Sequence, residues 1–154
     1  MPALQTDRIE KQVVLRAPRA RVWRALTDAR EFGSWFGVRV DGTFAAGARV
    51  TGAITHKGYE HLTWDVTIER MEPERVFAWR WKPGAVDPGV DLSTEPATLV
   101  TFELSDVKGG TLLKVVESGF DAVPATRRGE AYRRNDEGWT WQMESIARHL
   151  AAAS

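Results

Sequence analysis

The sequence contains no cysteine, no excess charge of either sign and no long apolar run, and each absence removes a class of protein. Without cysteine there is no disulfide, thiolate nucleophile or iron–sulfur cluster, which fits a reducing compartment. Lys plus Arg and Asp plus Glu both number 21, so no net field attracts nucleic acid or an anionic membrane. No segment approaches the ~20 apolar residues that cross a bilayer, and the start lacks a signal-peptide pattern. We therefore expect a cytoplasmic protein without a membrane span or a nucleic-acid partner.

The chain does have enough apolar residues to bury a core. At 154 residues with 43% hydrophobic content, its size is that of one domain. We expect a single domain over residues 1–154, with its core at about 9–150.

A dense aromatic stripe lies in the stretch "ERVFAWRWKPG". Alternate side chains of a strand share a face, so Phe77, Trp79 and Trp81 point one way and Arg80 points the other. Burying three such rings, at ~150–250 Å² each, is worth on the order of 10 kcal/mol as an upper bound. The rings therefore either fill a dense core or line a cavity that an apolar molecule enters.

The rest of the pattern predicts an α+β fold. "RIEKQVVLR" alternates as a half-buried strand, and a helix pair follows, in which Asp28 caps the second helix and Gly37 ends it. Between about Val38 and Val116 the pattern is that of short strands separated by turns, which favours an antiparallel meander. A final helix from about Gly129 to Leu150 has an inward stripe at spacings of three and four. The connection at 83–96, with three prolines, is longer than an ordinary hairpin loop, and its alternatives are a mouth loop, a lid, an oligomer contact or a plain surface excursion.

This order of elements resembles the helix-grip fold of the START and birch-pollen-allergen superfamily, SRPBCC. The resemblance is carried by "VVLRAPRARVWRALTDAREFGSWFG", "ERMEPERVFAWRW", "TLVTFEL", "GGTLLKVVESGF" and "NDEGWTWQMESIARHL", and it is strongest to the Aha-like branch, named after activators of the heat-shock chaperone ATPase. It implies a curved sheet of about six to seven strands wrapped around a long C-terminal helix, with two short helices after the first strand. It also implies a hydrophobic cavity between sheet and helix.

If that fold is right, a defined set of side chains lines the cavity. The candidate ligand-binding residues come from the short helices, the strands and the last helix: Trp35, Phe36, Trp64, Phe77, Trp79, Trp81, Val100, Phe102, Leu113, Val115, Glu117, Asn135, Trp139, Met143 and Ile146. The same residues would also make a tightly packed core, and the sequence alone leaves both interpretations open.

The polar candidates on this inner face are the most informative. The alternation that turns Leu113 and Val115 inward also turns Glu117 inward, where a carboxylate needs a partner, water or a proton. Its alternatives are a ligand contact, a catalytic acid or base, or a bond to a neighbouring backbone or Arg. Asn135 faces a ligand or the sheet, and Gly138 in mid-helix suggests close packing or clearance for a ligand.

Motifs of other chemistries are absent from the sequence. His56 and His61 lack a carboxylate partner in register, and His149 suits the end of a helix, so we expect no metal and no cofactor. The first hypothesis is a domain that binds a small apolar, aromatic or lipid-like molecule. The alternatives are a cyclase, dehydratase or hydrolase that uses the same cavity, or an Aha-like stress protein with a chaperone partner. A homodimer fits the resemblance as well.

Overall fold

The secondary structure follows the predicted order, and the α+β class is confirmed. The computed structural model describes residues 8–82 and 96–153, so the predicted 83–96 connection lies outside the described residues apart from Pro96. In chain order the elements are β1 (Arg8–Leu15), α1 (Arg19–Thr27), α2 (Ala29–Phe36), β2 (Val38–Asp41), β3 (Arg49–Ile54), β4 (Thr63–Glu72), β5 (Val76–Trp81), β6 (Thr98–Val107), β7 (Gly110–Ser118), a short 3-10 helix (Phe120–Ala122) and α3 (Ala125–Ala153).

The seven strands form one antiparallel sheet in the order β1-β7-β6-β5-β4-β3-β2. Strands β2 to β7 are a meander, and β1 adds to the far edge beside β7. A bulge between Ile68 and Arg70 shifts the register of β4 against β5, which bends the strand. The curved sheet wraps α3, which is the predicted helix-grip arrangement.

The link between the two short helices is built as the sequence predicts. The Asp28 side chain accepts a hydrogen bond from the backbone N–H of Glu31 at 2.9 Å and so caps α2. Gly37, with φ of 92°, ends the helix in a left-handed conformation that glycine adopts without strain. The predicted cap and stop are both confirmed.

Helix α3 begins four residues earlier than the predicted Gly129, at Ala125. Its first turns are mostly exposed, so they carry no apolar periodicity by which the sequence could reveal them. Further along, Trp139, Met143 and Ile146 are buried against the sheet as predicted. Within the ranges that the structure describes, none of the helices is long and apolar enough to cross a lipid bilayer.

The aromatic stripe of β5 faces α3 and α2. Phe77 and Trp79 are fully buried, Trp81 is half-buried near the end of the strand, and Arg80 on the opposite face pairs with Glu69. The rings interlock mostly edge to face, with Trp79 in contact with Phe102, for example, at a centroid distance of 5.2 Å. Most of the stripe therefore fills a dense aromatic core, and only its outer end borders open space.

A buried carboxylate and an adjoining pocket

Glu117 on β7 is the most unusual side chain of the interior. The alternation of β7 turns it inward behind Leu113 and Val115, and its side chain has no exposed surface. Residue 117 lies opposite Ile9 on β1 and Val100 on β6, so it has a paired strand on either side. Its carboxylate projects from the face of the sheet that packs against α3. The predicted inward direction of Glu117 agrees with this placement.

Both oxygens of this carboxylate accept hydrogen bonds from neutral donors. Oε2 accepts from the indole N–H of Trp81 at 2.8 Å and from the hydroxyl of Thr98 at 2.5 Å. Oε1 accepts from the indole N–H of Trp139 at 2.8 Å, and the amide of Asn135 donates to both oxygens at 2.9 and 3.0 Å. Five donor contacts therefore replace the water that a buried carboxylate loses.

In the part of the chain that the structure describes, Glu117 has no cationic partner. Every Lys, Arg and His of the chain lies within residues 8–82 and 96–153, and in these ranges none forms an ion pair with it. The sequence left open a ligand contact, a catalytic role or a bond to a neighbouring backbone group or arginine; in the structure two donors come from the sheet and two from α3. The carboxylate therefore ties α3 to the sheet through neutral hydrogen bonds.

A pocket of about 120 Å³ adjoins this cluster where α3, the end of α2 and the end of β5 meet. Three of its lining residues, Trp81, Asn135 and Trp139, are the same residues that donate to Glu117. Among the described residues, the lining consists of Phe36, Trp81, Arg134, Asn135, Gly138, Trp139 and Gln142. Glu117 therefore bonds to three of the seven described residues that line the pocket.

The structure divides the predicted site residues into two groups. Phe36, Trp81, Asn135 and Trp139 line the pocket, with Glu117 directly behind them. The others lie in the buried core and do not line this pocket: Trp35, Trp64, Phe77, Trp79, Val100, Phe102, Leu113, Val115, Met143 and Ile146.

Three lining residues were not in the predicted set, namely Arg134, Gly138 and Gln142. The sequence suggested that Gly138 provides either close packing or clearance for a ligand. Close packing is wrong, because a Cβ at position 138 would meet no atom within 4 Å. Clearance for a ligand remains a prediction. Gln142 lies three residues after Trp139, so a wider search of the flank of the helical stripe would have found it.

Gln142 has an orientation that its hydrogen bond fixes. Its Nε2 donates to the backbone oxygen of Phe36 at 2.8 Å, and exchanging the amide atoms would set two oxygens against each other. The Oε1 atom is buried, and none of the described residues donates a hydrogen bond to it. The Gln142 amide therefore joins α3 to the end of α2.

Among the residues that the structure describes, no three His, Cys, Asp or Glu side chains are placed to hold a metal ion. His56 is exposed and contacts the rings of Tyr59 and Trp141, whereas His149 lies 2.9 Å from Glu31 of α2. His149 therefore connects the two helices, a partner that the sequence did not reveal.

Glu31 is surrounded by Arg21, Arg24 and His149, and these neighbours set its pKa. Burial raises the pKa of Glu31, but the hydrogen bonds from His149 and Arg21 and the charges of Arg21 and Arg24 outweigh burial, so its pKa lies below the ordinary value of 4.5. A lowered pKa stabilises the fold above the unfolded-state pKa, and that contribution is lost as the pH falls through the folded-state pKa.

We therefore expect Glu31→Gln to destabilise the protein more at pH 5.5 than at pH 3, because the stabilisation by the wild-type carboxylate declines as the pH falls below its unfolded-state pKa towards its lower folded-state pKa. Urea unfolding of both proteins at the two pH values measures the difference. Glu103→Gln, which removes an exposed partner of Lys114, is the control and should have a small effect throughout. An equal loss for Glu31→Gln at both pH values would contradict the assigned role.

The fold and the buried polar cluster define a helix-grip protein, with a sheet that clasps the last helix and a pocket between them. The family model of the Activator of Hsp90 ATPase homolog 1-like protein matches residues 16–151, so the chain belongs to this family, the Aha-like branch of the SRPBCC superfamily. No curated protein shows significant similarity to the chain.

Several solved structures share the fold. Protein MLL2253 from Mesorhizobium loti is 26% identical with a TM-score of 0.74, and the match covers 96% of this chain and 98% of that one. DynU16, from the dynemicin biosynthetic locus, is 24% identical with a TM-score of 0.73; the match covers 96% of this chain and 48% of that one, so this chain spans about half of its length. The Aha1 dimer from Colwellia psychrerythraea is 16% identical with a TM-score of 0.68, over 93% and 95% of the two chains.

Proposed function

We propose that the protein binds a small aromatic or other apolar molecule in the pocket beside Glu117, and that this function requires no catalysis. The observation that carries the proposal is the shared use of Trp81, Asn135 and Trp139, which line the pocket on one side and bond to the buried carboxylate on the other. Such a second layer of hydrogen bonds holds a binding wall in one geometry before the ligand arrives.

The size of the pocket favours a molecule of about one ring. A cavity of roughly 150 Å³ holds one benzene molecule, whereas pockets for larger ligands measure about 300–1,000 Å³. At about 120 Å³ the pocket beside Glu117 belongs with the first kind. A lipid-like chain would need the aromatic walls to separate, so a compact aromatic ligand is the better fit.

The tryptophan side chains offer a direct test. In a two-dimensional ¹H–¹⁵N spectrum each indole N–H gives its own signal, and the protein has seven tryptophans. On titration with benzyl alcohol, the signals of Trp81 and Trp139 should shift, because both line the pocket. The signal of Trp23, which packs against Phe77 away from the pocket, should stay in place. Uniform small shifts, or none, would contradict the proposed pocket.

Gly138 permits a blocking experiment with little risk to the fold. Because a Cβ there meets nothing within 4 Å, Gly138→Ala should stabilise the helix by up to about 1 kcal/mol. Gly138→Leu should keep the fold but place its side chain at the pocket, lowering the affinity for benzyl alcohol by about tenfold or more.

Gly129 provides the matched control for this pair. It lies in the same helix, its Cβ position is also free of atoms within 4 Å, and it does not line the pocket. Gly129→Leu should therefore leave the affinity unchanged. Equal affinity in Gly138→Leu and Gly129→Leu would place ligand binding elsewhere.

An enzymatic role for Glu117 is the weaker alternative. A general acid or base must reach the reacting atom, yet this carboxylate is fully buried and its two oxygens already accept five donor contacts. Its position supports a role in fixing the walls of the pocket. A chain in which Glu117→Gln abolished turnover of a bound substrate without changing its affinity would favour the enzyme instead.

The family gives a second candidate function. Its name refers to activation of the Hsp90 ATPase, and one similar structure is an Aha1 dimer, so a chaperone partner and a homodimer are both candidates for this chain. Co-purification with the Hsp90 of the same cell and sedimentation of the isolated protein would test the two separately. Neither depends on occupation of the pocket.

A further inference from the structure

We propose that the ligand of this pocket is an aromatic carboxylate, with its ring inside the pocket and its anionic group at the opening beside Arg134. The inference rests on the proposed function and names the class of its ligand. It follows from one cation at the edge of a wall whose other described residues are uncharged, and from the Glu117 carboxylate behind that wall.

Arg134 is the charged side chain among the described residues that line the pocket. It is 48% exposed, whereas Phe36 and Trp139 of the same lining are buried, so Arg134 marks the side on which the pocket meets solvent. A guanidinium stays charged at physiological pH and binds a carboxylate through paired N–H donors. An oxyanion at this edge therefore meets a positive charge while water still reaches it.

The space that Gly138 leaves open lies next to Arg134. Residues 134 and 138 are about one turn apart on α3 and share a face. A helical side chain leans toward the N-terminal end of its helix, so a side chain at position 138 would cover the surface toward Arg134. Glycine leaves that surface uncovered, and a Cβ there would meet no atom within 4 Å. A ligand that fills this gap is therefore within reach of the guanidinium.

The inner wall fixes which end of the ligand enters. Its donor groups on Trp81, Asn135 and Trp139 already donate to the carboxylate of Glu117 behind them, and the amide of Gln142 donates to a backbone oxygen. A ligand carboxylate at this depth would lose its water, find none of these donors available and approach a second carboxylate. An aromatic ring packs against the indole rings without these losses. The ring therefore enters, and the anionic group stays at the opening.

Glu130 competes with such a ligand for Arg134. Its carboxylate lies 3.0 Å from the guanidinium, and the two side chains are 56% and 48% exposed. An exposed pair of this kind contributes little, because water and salt screen it. A guanidinium also has more N–H donors than one carboxylate uses, so Arg134 can hold Glu130 on one edge and a ligand on another. Glu130 then lowers the affinity for an anion without preventing its binding.

Three probes of one shape and different charge test the inference: benzoate, benzamide and benzamidine. At neutral pH the first is an anion, the second is neutral and the third is a cation. We expect benzoate to bind about fivefold more tightly than benzamide, and benzamidine to bind most weakly. Dissociation constants come from the shifts of the Trp81 and Trp139 indole signals. High salt should reduce the preference for benzoate in the unchanged protein, a readout that needs no variant.

Substitution of the cation assigns the preference to one residue. Arg134→Met removes the charge and keeps an unbranched apolar stem, so benzoate should bind no more tightly than benzamide, while the affinity for benzamide stays within about twofold. Arg133→Met is the matched control, because Arg133 is the preceding residue of α3, is exposed and is not among the described lining residues. It changes the net charge equally and should retain the preference.

Removal of the competing carboxylate should have the opposite effect. Glu130→Gln should raise the affinity for benzoate about twofold and leave that for benzamide unchanged. Glu144→Gln is its control, because it removes an equivalent pair with Arg148 further along α3, away from the described lining, and should change neither affinity.

The outcomes distinguish this inference from the proposed function. Equal affinity for the three probes, or tighter binding of benzamidine than of benzoate, would overturn the preference for an anion while leaving a binding pocket in place. An undiminished preference in Arg134→Met would overturn the assignment to this residue. If none of the probes, benzyl alcohol included, moves the Trp81 and Trp139 signals, the proposed function itself fails.

Discussion

Glu117→Leu is expected to lower the free energy of unfolding by about 3–5 kcal/mol. The leucine leaves the indole N–H groups of Trp81 and Trp139, the Asn135 amide and the Thr98 hydroxyl without the acceptor that they now share. Replacing a complete buried ionic group by apolar residues can be neutral, but this substitution removes the acceptor and keeps its donors. Urea unfolding with equal slopes for both proteins measures the loss.

The same substitution on the neighbouring strand is the control. Glu103 on β6 has a side chain that is 49% exposed and approaches Lys114 at 3.7 Å, so Glu103→Leu should change stability by no more than about 0.5 kcal/mol. Glu117→Gln, which keeps the shape and one oxygen, should lie between the two. If Glu117→Leu were as stable as Glu103→Leu, the carboxylate would not be the link between sheet and helix.

The direction of Glu117 was predictable from the sequence, whereas its partners were not. Strand alternation is local, so Leu113 and Val115 were enough to predict which way residue 117 points. Its donors Trp81, Thr98, Asn135 and Trp139 lie 18 to 36 residues away, on two strands and a helix. Which indole N–H reaches the carboxylate depends on rotamers and on how closely α3 approaches the sheet, and no local pattern carries that information.

The size of the open space was equally beyond the sequence. The sequence left open whether the rings fill a dense core or line a cavity. In the structure the rings meet edge to face, as Trp79 does with Phe32 at 5.7 Å, and this arrangement fills most of the interior. The open space that adjoins Glu117 lies at the end of the stripe, where glycine stands at position 138 and contributes no side chain.

Gly33→Ala is expected to destabilise the protein by about 3 kcal/mol, although alanine is the better helix former. A Cβ at position 33 would overlap the backbone oxygen of Val38, which belongs to β2 and cannot move aside as a flexible side chain would. Helix α2 would have to shift away from the sheet. Chemical unfolding measures the loss, and the Trp35 indole signal, whose N–H donates to the backbone oxygen of Ala25 at 2.7 Å, reports the shift.

The displacement of α2 should reach the pocket, because two residues of α3 hold the end of that helix. Ser145 donates to the backbone oxygen of Trp35 at 2.6 Å, and Gln142 donates to that of Phe36 at 2.8 Å. Gly33→Ala should therefore weaken benzyl alcohol binding as well as stability. Gly129→Ala, where the new Cβ meets nothing, should stabilise the protein and leave binding intact. If Gly33→Ala were as stable as the wild type, α2 could move over β2 without loss of free energy. The close approach of Gly33 to Val38 would then not fix the position of Phe36 in the pocket wall.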